Sequence, residues 1–208
     1  MLTHDFKLYV ITDRKLFPAL CNMYFAIESV LDAGATVIQL REKDLPAREL
    51  LDMAFWMREL TNEYGAKLFI NDRVDVALSV GADGVHLGRN SIPAHAVRKT
   101  WGDKLLIGVS THSIEEAVEA ERDGADFITL GPIYETPSKL KYGLPLGTDI
   151  IRGVKSRISI PVIAVGGIKL DRIKEVTAAG AAGVAVISAI LGVQNIKETT
   201  EEFLRLLK

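Results

Sequence analysis

Short apolar segments alternate with longer amphipathic stretches along the whole sequence. The apolar segments lie at residues 8–12, 37–41, 68–71, 84–87, 106–110, 127–130, 162–165 and 184–187, and each predicts a β-strand. Residues 47–63 predict a helix, because Leu50, Ala54 and Met57 share one face and charged residues occupy the other. Segments such as PVIAVGG are apolar on both faces, which is typical of a parallel sheet covered by helices.

A weak internal repeat supports this alternation of strands and helices. It reads DAGATVIQL, VGADGVHLG, DGADFITLG and AAGAAGVAVIS, and its glycines are Gly34, Gly81, Gly124 and Gly180. Each glycine stands where a helix ends in a left-handed cap just before the next strand. We therefore predict a single (β/α)8 TIM barrel domain over residues 1–208. An open doubly wound sheet is the alternative, which the absence of a G-x-G-x-x-G motif after the first strand disfavours.

Composition narrows the classes of function. The chain has 208 residues, a net charge of −2 and a pI near 6.1, so it has no general attraction for nucleic acid or acidic membranes. Cys21 is the only cysteine, which excludes an intrachain disulfide and a multi-cysteine metal site. The sequence shows no signal-peptide core and no apolar run long enough for a membrane span, and we expect a cytoplasmic protein.

Unusual polar residues follow the predicted strands at their carboxyl ends, where barrels of this kind carry their chemistry. They comprise Gln39, Arg41 and Lys43 after the second strand, Asn71 and Asp72 after the third, and Ser110, Thr111 and His112 after the fifth. If the barrel closes, these side chains face one pocket. Arg41, Lys43 and Lys139 outnumber Asp72, the one carboxylate placed at the centre, which predicts a polyanionic ligand. Asp72 would be available to a divalent cation that bridges phosphate oxygens.

Two further segments complete the predicted site. Gly166 and Gly167 end the seventh strand and Ile187 and Ser188 follow the eighth, where backbone amides often hold a phosphate in such barrels. The connection over residues 132–147 is by far the longest, and its Thr136, Ser138 and Lys139 predict a lid that closes over phosphates.

Structural roles are the alternative for each of these residues. Arg41 and Lys43 could pair with acidic neighbours on a solvated rim. Asn71 and Asp72 could cap the helix that starts near Val74. His112 could serve packing and hydrogen bonding alone. Asp83 and Asp126 follow helix-ending glycines and are expected to be turn residues.

Taken together, the motifs resemble the thiamine phosphate synthase family and its relatives, the thiazole tautomerases. The likeness runs from LYVITD through QLREKD, FINDRVDVA, GADGVHLG, IGVSTH, GPIYETPSK and PVIAVGGI to GVAVISAI, one motif for each predicted strand. It implies a transferase of thiamine biosynthesis. Such an enzyme joins hydroxymethylpyrimidine diphosphate to a thiazole phosphate and releases pyrophosphate.

The resemblance also implies roles for residues that match the motifs. The diphosphate would be held by Arg41, Lys43, Asn71 and Lys139, with Mg²⁺ on Asp72. Gln39 and Ser110 would orient the pyrimidine. The thiazole phosphate would be held by Thr136, Ser138, Gly167, Ile187 and Ser188. In that family, breakage of the bond between the pyrimidine and the diphosphate is thought to precede capture by the thiazole nitrogen.

The sequence departs from each relative at a key position. Synthases have glutamine and a second metal-binding aspartate where this chain has Arg89 and Ser91, in the stretch GRNS. Tautomerases have a histidine directly after the first glycine of the long loop, where this chain has Pro132. His112 replaces it only if it points into the pocket. Synthase activity is the function predicted, with a thiazole tautomerase or a non-catalytic thiamine-phosphate binder as alternatives.

Overall fold

Parallel strands form a closed barrel in the computed structural model, which describes residues 6–136 and 144–208. The strands are β1 (Leu8–Ile11), β2 (Val37–Leu40), β3 (Lys67–Asn71), β4 (Gly84–Leu87), β5 (Leu106–Thr111), β6 (Phe127–Leu130), β7 (Val162–Val165) and β8 (Gly183–Val186). They pair in chain order, and β8 closes against β1 with Val184 opposite Leu8. The predicted barrel is confirmed, and the open sheet is excluded because its two edge strands would not pair.

Helices cover the outside of the barrel. They are α1 (Leu20–Asp32), α2 (Ala47–Glu63), α3 (Val74–Ser79), α4 (Ala94–Trp101), α5 (Ile114–Arg122), α6 (Asp149–Lys155), α7 (Ile173–Ala178), α8 (Ser188–Leu191) and α9 (Ile196–Leu206), with short 3-10 turns at Arg14–Leu16, Gly102–Lys104 and Leu170–Arg172. The repeat glycines Gly34, Gly81, Gly124 and Gly180 all have positive φ, between 62° and 106°, as the sequence predicts. Within the described ranges, no helix combines the length and apolar character needed to cross a membrane.

Aromatic side chains fill the lower part of the barrel interior. Phe6, Tyr9, Phe69 and Phe127 pack with ring centroids 4.6 to 5.9 Å apart, and all four are buried. The barrel accommodates these rings because Gly84 and Gly108 face them. A Cβ atom at Gly84 would lie 2.3 Å from the Phe69 ring, and one at Gly108 would lie 2.4 Å from the Phe127 ring.

A polar layer lies above the aromatic layer, toward the carboxyl ends of the strands. Side chains two residues apart on a strand face the same side of the sheet. Gln39, Asn71, His86, Ser110 and Thr129 each come two residues after a residue of the lower layer, namely Val37, Phe69, Gly84, Gly108 and Phe127 respectively. The barrel interior is therefore apolar in its lower layer and polar in the layer directly below the mouth.

The opposite end of the barrel carries a repeated stabilising contact. Asp83 Oδ2 accepts hydrogen bonds from the Leu68 amide (2.9 Å) and from Arg58 Nη1 (2.7 Å). Asp126 Oδ2 repeats this with the Ile107 amide (2.7 Å) and Arg98 Nη2 (2.6 Å). Asp83 and Asp126 lie in the bends before β4 and β6, as expected, and their carboxylates also tie a helix to a neighbouring strand, which was not predicted.

Candidate active site

A cavity of about 650 Å³ opens at the carboxyl ends of the strands. Residues that follow β2, β3, β4, β5 and β6 line it. Its lining includes Glu42, Lys43, Asn71, Asp72, Arg73, Gly88, Arg89, Asn90, Ser91, Ser110, His112, Glu116 and Pro132, together with Leu45, Leu50, Leu144 and Leu146. The mouth of the barrel is therefore a concave and mainly polar site.

The structure brings part of the predicted set together in this cavity. Lys43 follows β2, Asn71 and Asp72 stand at the end of β3, Ser110 lies in β5, and all four line the same space. Gln39 lies in the polar layer of the interior and is 1% exposed. Arg41 follows β2, and its charge reaches the buried His86.

Other predicted residues lie outside the lining of this cavity. Thr136 follows β6, Gly167 follows β7, and Ile187 and Ser188 follow β8, on the other side of the barrel mouth. Ser138 and Lys139 lie outside the described residues. The lining of this cavity therefore contains Lys43, Asn71 and Asp72 of the predicted diphosphate and metal residues, and none of the residues predicted for the thiazole phosphate that the structure describes.

The sequence-based count of carboxylates at the centre was wrong. Glu42 and Glu116 line the cavity along with Asp72, so three acidic side chains stand among the described lining residues beside Lys43, Arg73 and Arg89. Glu42 is 4% exposed and accepts hydrogen bonds from Thr12 Oγ1 (2.7 Å) and the Arg14 amide (3.1 Å). Burial raises the pKa of Glu42 above its ordinary value despite these bonds. Glu42 thus acts mainly to fix the loops after β1 and β2 relative to each other.

The structural alternative for Arg41 was a salt bridge with an acidic neighbour on the rim of the barrel. The acidic neighbour Asp44 instead pairs with Arg14 (2.9 Å) and Lys15 (3.0 Å). The hydrogen bonds from Arg14 and then Lys15 lower the pKa of Asp44 to about 2. Among the residues that the structure describes, Arg41 has no ion-pair partner, so its charge is available to an anion at the mouth.

Asp72 adopts an unusual backbone conformation. Its φ is 67°, and it is the one non-glycine residue with positive φ in the described chain. Its amide donates to the carbonyl oxygen of His86 (2.9 Å), which anchors the turn on β4. The alternative that Asn71 or Asp72 caps α3 is contradicted, because the cap residue is Arg73 and no side chain caps this helix. Non-glycine residues in this region are strained and concentrate at functional sites.

A buried hydrogen-bond chain runs beneath the cavity. Gln39 Nε2 donates to the Tyr9 hydroxyl (2.8 Å), and that hydroxyl lies 3.4 Å from His86 Nδ1. His86 Nε2 lies 3.0 Å from Ser110 Oγ and 3.4 Å from Thr129 Oγ1. The chain links β1, β2, β4, β5 and β6 and ends on a side chain that lines the cavity.

The protonation states of Tyr9 and His86 determine which group donates and which accepts in each of these hydrogen bonds. Burial, followed by the positive charges of Arg41 and Lys43, lowers the pKa of His86 to about 3, so the imidazole is neutral near pH 7. Burial raises the pKa of Tyr9 well above its ordinary value, so its hydroxyl keeps the proton and donates to His86 Nδ1. His86 Nε2–H then donates to Ser110 Oγ. The Ser110 hydroxyl hydrogen is left to point into the cavity as a donor.

His112 meets the condition of facing the pocket. It lines the cavity, and its Nδ1 lies 3.0 Å from Glu116 Oε2, which also accepts from the His112 amide (2.7 Å). Ser113 Oγ accepts from the Glu116 amide (3.2 Å) and caps α5. The pair therefore has a structural role at the start of this helix as well as a place at the cavity.

The ends of β6 and β7 are held in close contact. Gly166 and Gly167 have φ of 97° and 65°, and a Cβ atom on Gly167 would lie 2.7 Å from the Glu135 carbonyl oxygen. Arg172 donates to the Gly167 carbonyl oxygen and lies over the Tyr134 ring, 4.4 Å from its centroid. These contacts fix the backbone where the sequence predicts a phosphate site.

Glu175 of α7 contacts a residue near the start of the long connection and a residue just after its end. It accepts hydrogen bonds from the Tyr134 hydroxyl (2.7 Å) and from Thr148 Oγ1 (3.0 Å). Burial, followed by the bond to Glu175, raises the pKa of Tyr134 to about 12.

The metal-ligating capacity of the described residues is small. They contain no cluster of three or more histidine, cysteine, aspartate or glutamate side chains that could hold a metal ion. Thr12 and Arg14 engage Glu42, and His112 engages Glu116. Asp72 is the lining carboxylate that remains. One carboxylate suits Mg²⁺ that keeps several waters and shares substrate phosphates, which is how the ion is usually bound.

Sequence reasoning missed several residues of the site. His86 was assigned only to a buried strand, although a histidine between Gly84 and Gly88 is a polar signal in an otherwise apolar segment. Tyr9 gave no such signal, because its hydroxyl acquires its role from partners on other strands. Arg73 also lines the cavity, and its position directly after Asn71 and Asp72 could have indicated it.

The known proteins that this chain resembles in sequence and in structure point to one family. A family model described as thiamine monophosphate synthase matches residues 8–190. A thiamine-phosphate synthase of Halalkalibacterium halodurans is 44% identical over 98% of this chain and 96% of its own length. One of Pyrococcus horikoshii is 42% identical over 97% of this chain and 95% of its own. The structure of thiamine phosphate pyrophosphorylase from Pyrococcus furiosus superposes with a TM-score of 0.89 at 40% identity, covering 98% of this chain and 96% of that one.

Proposed function

The chain belongs to the thiamine monophosphate synthase family, and from that membership we propose that it joins hydroxymethylpyrimidine diphosphate to a thiazole phosphate with release of pyrophosphate. The observation that carries this proposal is the cavity at the barrel mouth, where Lys43, Asn71, Asp72 and Ser110 converge from three strands. The reaction is a transfer. The bond between the pyrimidine methylene carbon and a diphosphate oxygen breaks, and the same carbon bonds to the thiazole nitrogen.

The departing diphosphate is the centre of the proposed chemistry. The electron pair of the broken bond leaves with the diphosphate oxygen, so negative charge grows there while the methylene carbon becomes cationic. Arg41, Lys43, Asn71 and Lys139 would hold that diphosphate through charge-assisted hydrogen bonds. Fixed positive groups stabilise such developing charge more than they stabilise the bound substrate, which raises turnover.

Mg²⁺ would be held by Asp72 together with the phosphate oxygens of the substrate. When bound, the ion would add positive charge at the leaving oxygens. Asp72 is suited to this role because its exposed carboxylate lines the cavity and the hydrogen bond from its amide to the His86 carbonyl oxygen anchors its backbone.

The pyrimidine would be oriented by Ser110 and Gln39. The hydrogen-bond chain through Tyr9 and neutral His86 leaves Ser110 as a donor, which suits a ring nitrogen of the pyrimidine. Gln39 keeps its amide oxygen as an acceptor, which suits an amino group on the same ring. Tyr9 and His86 are positioning residues in this scheme.

The thiazole phosphate would bind at the ends of β6, β7 and β8. Gly167, Ile187 and Ser188 would offer backbone amides and a hydroxyl, and Thr136 and Ser138 would add hydroxyls from the long connection. The hydrogen bonds from Arg172 to the Gly167 carbonyl oxygen and from the Tyr134 amide to the Gly166 carbonyl oxygen (3.0 Å) support this assignment, because they hold the backbone in one conformation.

The test is incubation of the protein with both substrates and Mg²⁺, with thiamine phosphate and pyrophosphate quantified. The proposal expects the two products in equal amounts. Absence of thiamine phosphate with intact substrates would contradict it.

A second activity is favoured by one observation. His112 lines the cavity with Glu116 against its Nδ1, so the imidazole could move a proton between tautomers of a bound thiazole. Solvent deuterium exchange into the thiazole, without the pyrimidine substrate, would reveal it. A His112→Gln variant that loses exchange but still makes thiamine phosphate would separate this tautomerase-like activity from the synthase.

A further inference from the structure

The loop after β4 forms a closed turn on the rim of the cavity. The Gly88 amide donates to Ser91 Oγ (2.7 Å), and the Ser91 amide donates to the Gly88 carbonyl oxygen (3.0 Å). Both hydrogen bonds close the same four residues, so Arg89 and Asn90 form the exposed tip, and all four residues line the cavity. Ser91 Oγ therefore serves the turn and is not directed at a ligand.

The carboxylates of the cavity leave little capacity for a free metal ion. Glu42 is buried against Thr12 and Arg14, and Glu116 is engaged by His112. Among the lining residues that the structure describes, Asp72 is then the single carboxylate that could ligate Mg²⁺. One carboxylate gives a weak site for the aqueous ion, because Mg²⁺ gives up its waters reluctantly.

Arg89 and Arg73 both line the cavity, but they differ in their ion pairing. Arg73 is bound by Asp75, with Nε 2.8 Å from Oδ1 and a second contact from Nη2 to Oδ2 (2.5 Å), so its charge is compensated. Arg89 makes no hydrogen bond or ion pair with any residue of the described chain, and it is exposed at the cavity edge. A guanidinium group with free donors can bind a diphosphate through two parallel hydrogen bonds.

We infer that Arg89 is a binding residue for the diphosphate and supplies part of the positive charge that a second carboxylate-held metal ion would otherwise bring. The protein then binds pyrophosphate without any divalent cation. Mg²⁺ binds only together with the diphosphate, through Asp72 and the phosphate oxygens. This inference rests on the proposed function, since it assigns a residue to the leaving group of that reaction.

Calorimetric titration with inorganic pyrophosphate in the presence of EDTA tests the inference directly. The wild-type protein is expected to bind, and Arg89→Gln is expected to bind at least about tenfold more weakly, because a charge-assisted bond is lost. Arg205→Gln is the matched control, since it removes the same charge from the exposed surface of α9 and should leave the affinity unchanged.

A second titration, with Mg²⁺ alone, uses the double variant Arg89→Gln, Ser91→Asp. The wild-type protein is expected to give no binding heat, and the double variant is expected to bind the ion through two carboxylates. Failure of wild-type protein to bind pyrophosphate in EDTA, or equal binding by Arg89→Gln, would overturn the inference.

The synthesis assay on the same preparations keeps the two proposals apart. If wild-type protein makes thiamine phosphate while Arg89→Gln binds pyrophosphate normally in EDTA, the assignment of Arg89 fails and the function stands. If wild-type protein makes no product, the proposed function fails whatever the titrations show.

Discussion

Single residues at the barrel mouth acquire their chemistry from backbone geometry and buried partners. Asp72 lines the cavity, and its role as a metal residue stays a prediction, while its αL backbone was not predicted. The sequence carries no glycine there to signal a positive φ. The roles of Tyr9 and His86 could not be predicted either, because each depends on side chains that are distant in the sequence.

Asp72→Asn separates charge from backbone strain. Asparagine tolerates the αL region, so the thermal unfolding midpoint should change little, while synthesis at limiting Mg²⁺ falls at least about tenfold through loss of the carboxylate. Asp72→Ala should lose activity and also about 1 kcal/mol of stability from strain. Activity measured against Mg²⁺ concentration and thermal melts check both, and a fully active Asn variant would remove Asp72 from the metal site.

Elements of the barrel follow the hydrophobic pattern closely. Every predicted strand agrees with the observed bounds to within one residue at each end, and the predicted helix over residues 47–63 is α2. This accuracy has a physical cause, since strands buried on both faces are continuous apolar segments between glycine caps. The connections were harder to predict, because contacts such as Tyr134 to Glu175 join different elements.

Gly167→Ala tests the connection between β6 and β7, with Gly65→Ala as its matched control. Both glycines have φ near 65°, at 65° and 63°, but a Cβ atom meets the Glu135 carbonyl only at Gly167, and Gly65 has nothing within 4 Å. Gly65→Ala should cost about 1 kcal/mol of stability and leave KM unchanged. Gly167→Ala should cost more, about 2 to 3 kcal/mol, and raise KM for the thiazole phosphate. Equal effects of the two variants on KM would contradict the phosphate site.

In the whole molecule, the candidate catalytic residues and the stabilising ion pairs lie at opposite ends of the barrel. The carboxyl ends of the strands carry the cavity, and the opposite end carries the Asp83 and Asp126 contacts with Arg58 and Arg98. The sequence repeat revealed the positions of these aspartates but not their partners. Each partner arginine lies on a helix that precedes the aspartate by more than twenty residues.

Asp83→Asn should destabilise the fold without changing catalysis. Arg58 is 13% exposed and would lose its charged partner, so we expect a loss of about 1 to 3 kcal/mol in the free energy of unfolding with kcat unchanged. Asp103→Asn is the control, because Asp103 pairs with Arg98 while fully exposed and should change stability by less than about 0.5 kcal/mol. Chemical denaturation measures both, and a stable Asp83→Asn protein would show that the repeated contact is dispensable.

The stability of the molecule should depend on pH through His86. Its pKa is about 3 in the fold and 6.5 as the ordinary value, so below pH 6.5 the unfolded chain binds a proton that the folded chain does not. Stability is therefore complete above pH 6.5 and falls as the pH drops toward 3, by at most about 1.4 kcal/mol per pH unit from this group. His86→Gln should flatten the measured slope by that amount. An unchanged slope in His86→Gln would contradict the neutral buried imidazole.

The central claim is that cationic side chains from the barrel mouth stabilise the departing diphosphate. The most direct measurement compares single-turnover synthesis rates with diphosphate dissociation constants in wild-type protein and Arg41→Gln. We expect a fall of about 100-fold in the rate with a change of less than about tenfold in the dissociation constant, because the charge matters most as the bond breaks. An Arg41→Gln variant that keeps the wild-type rate, or that loses binding and rate in equal proportion, would contradict it.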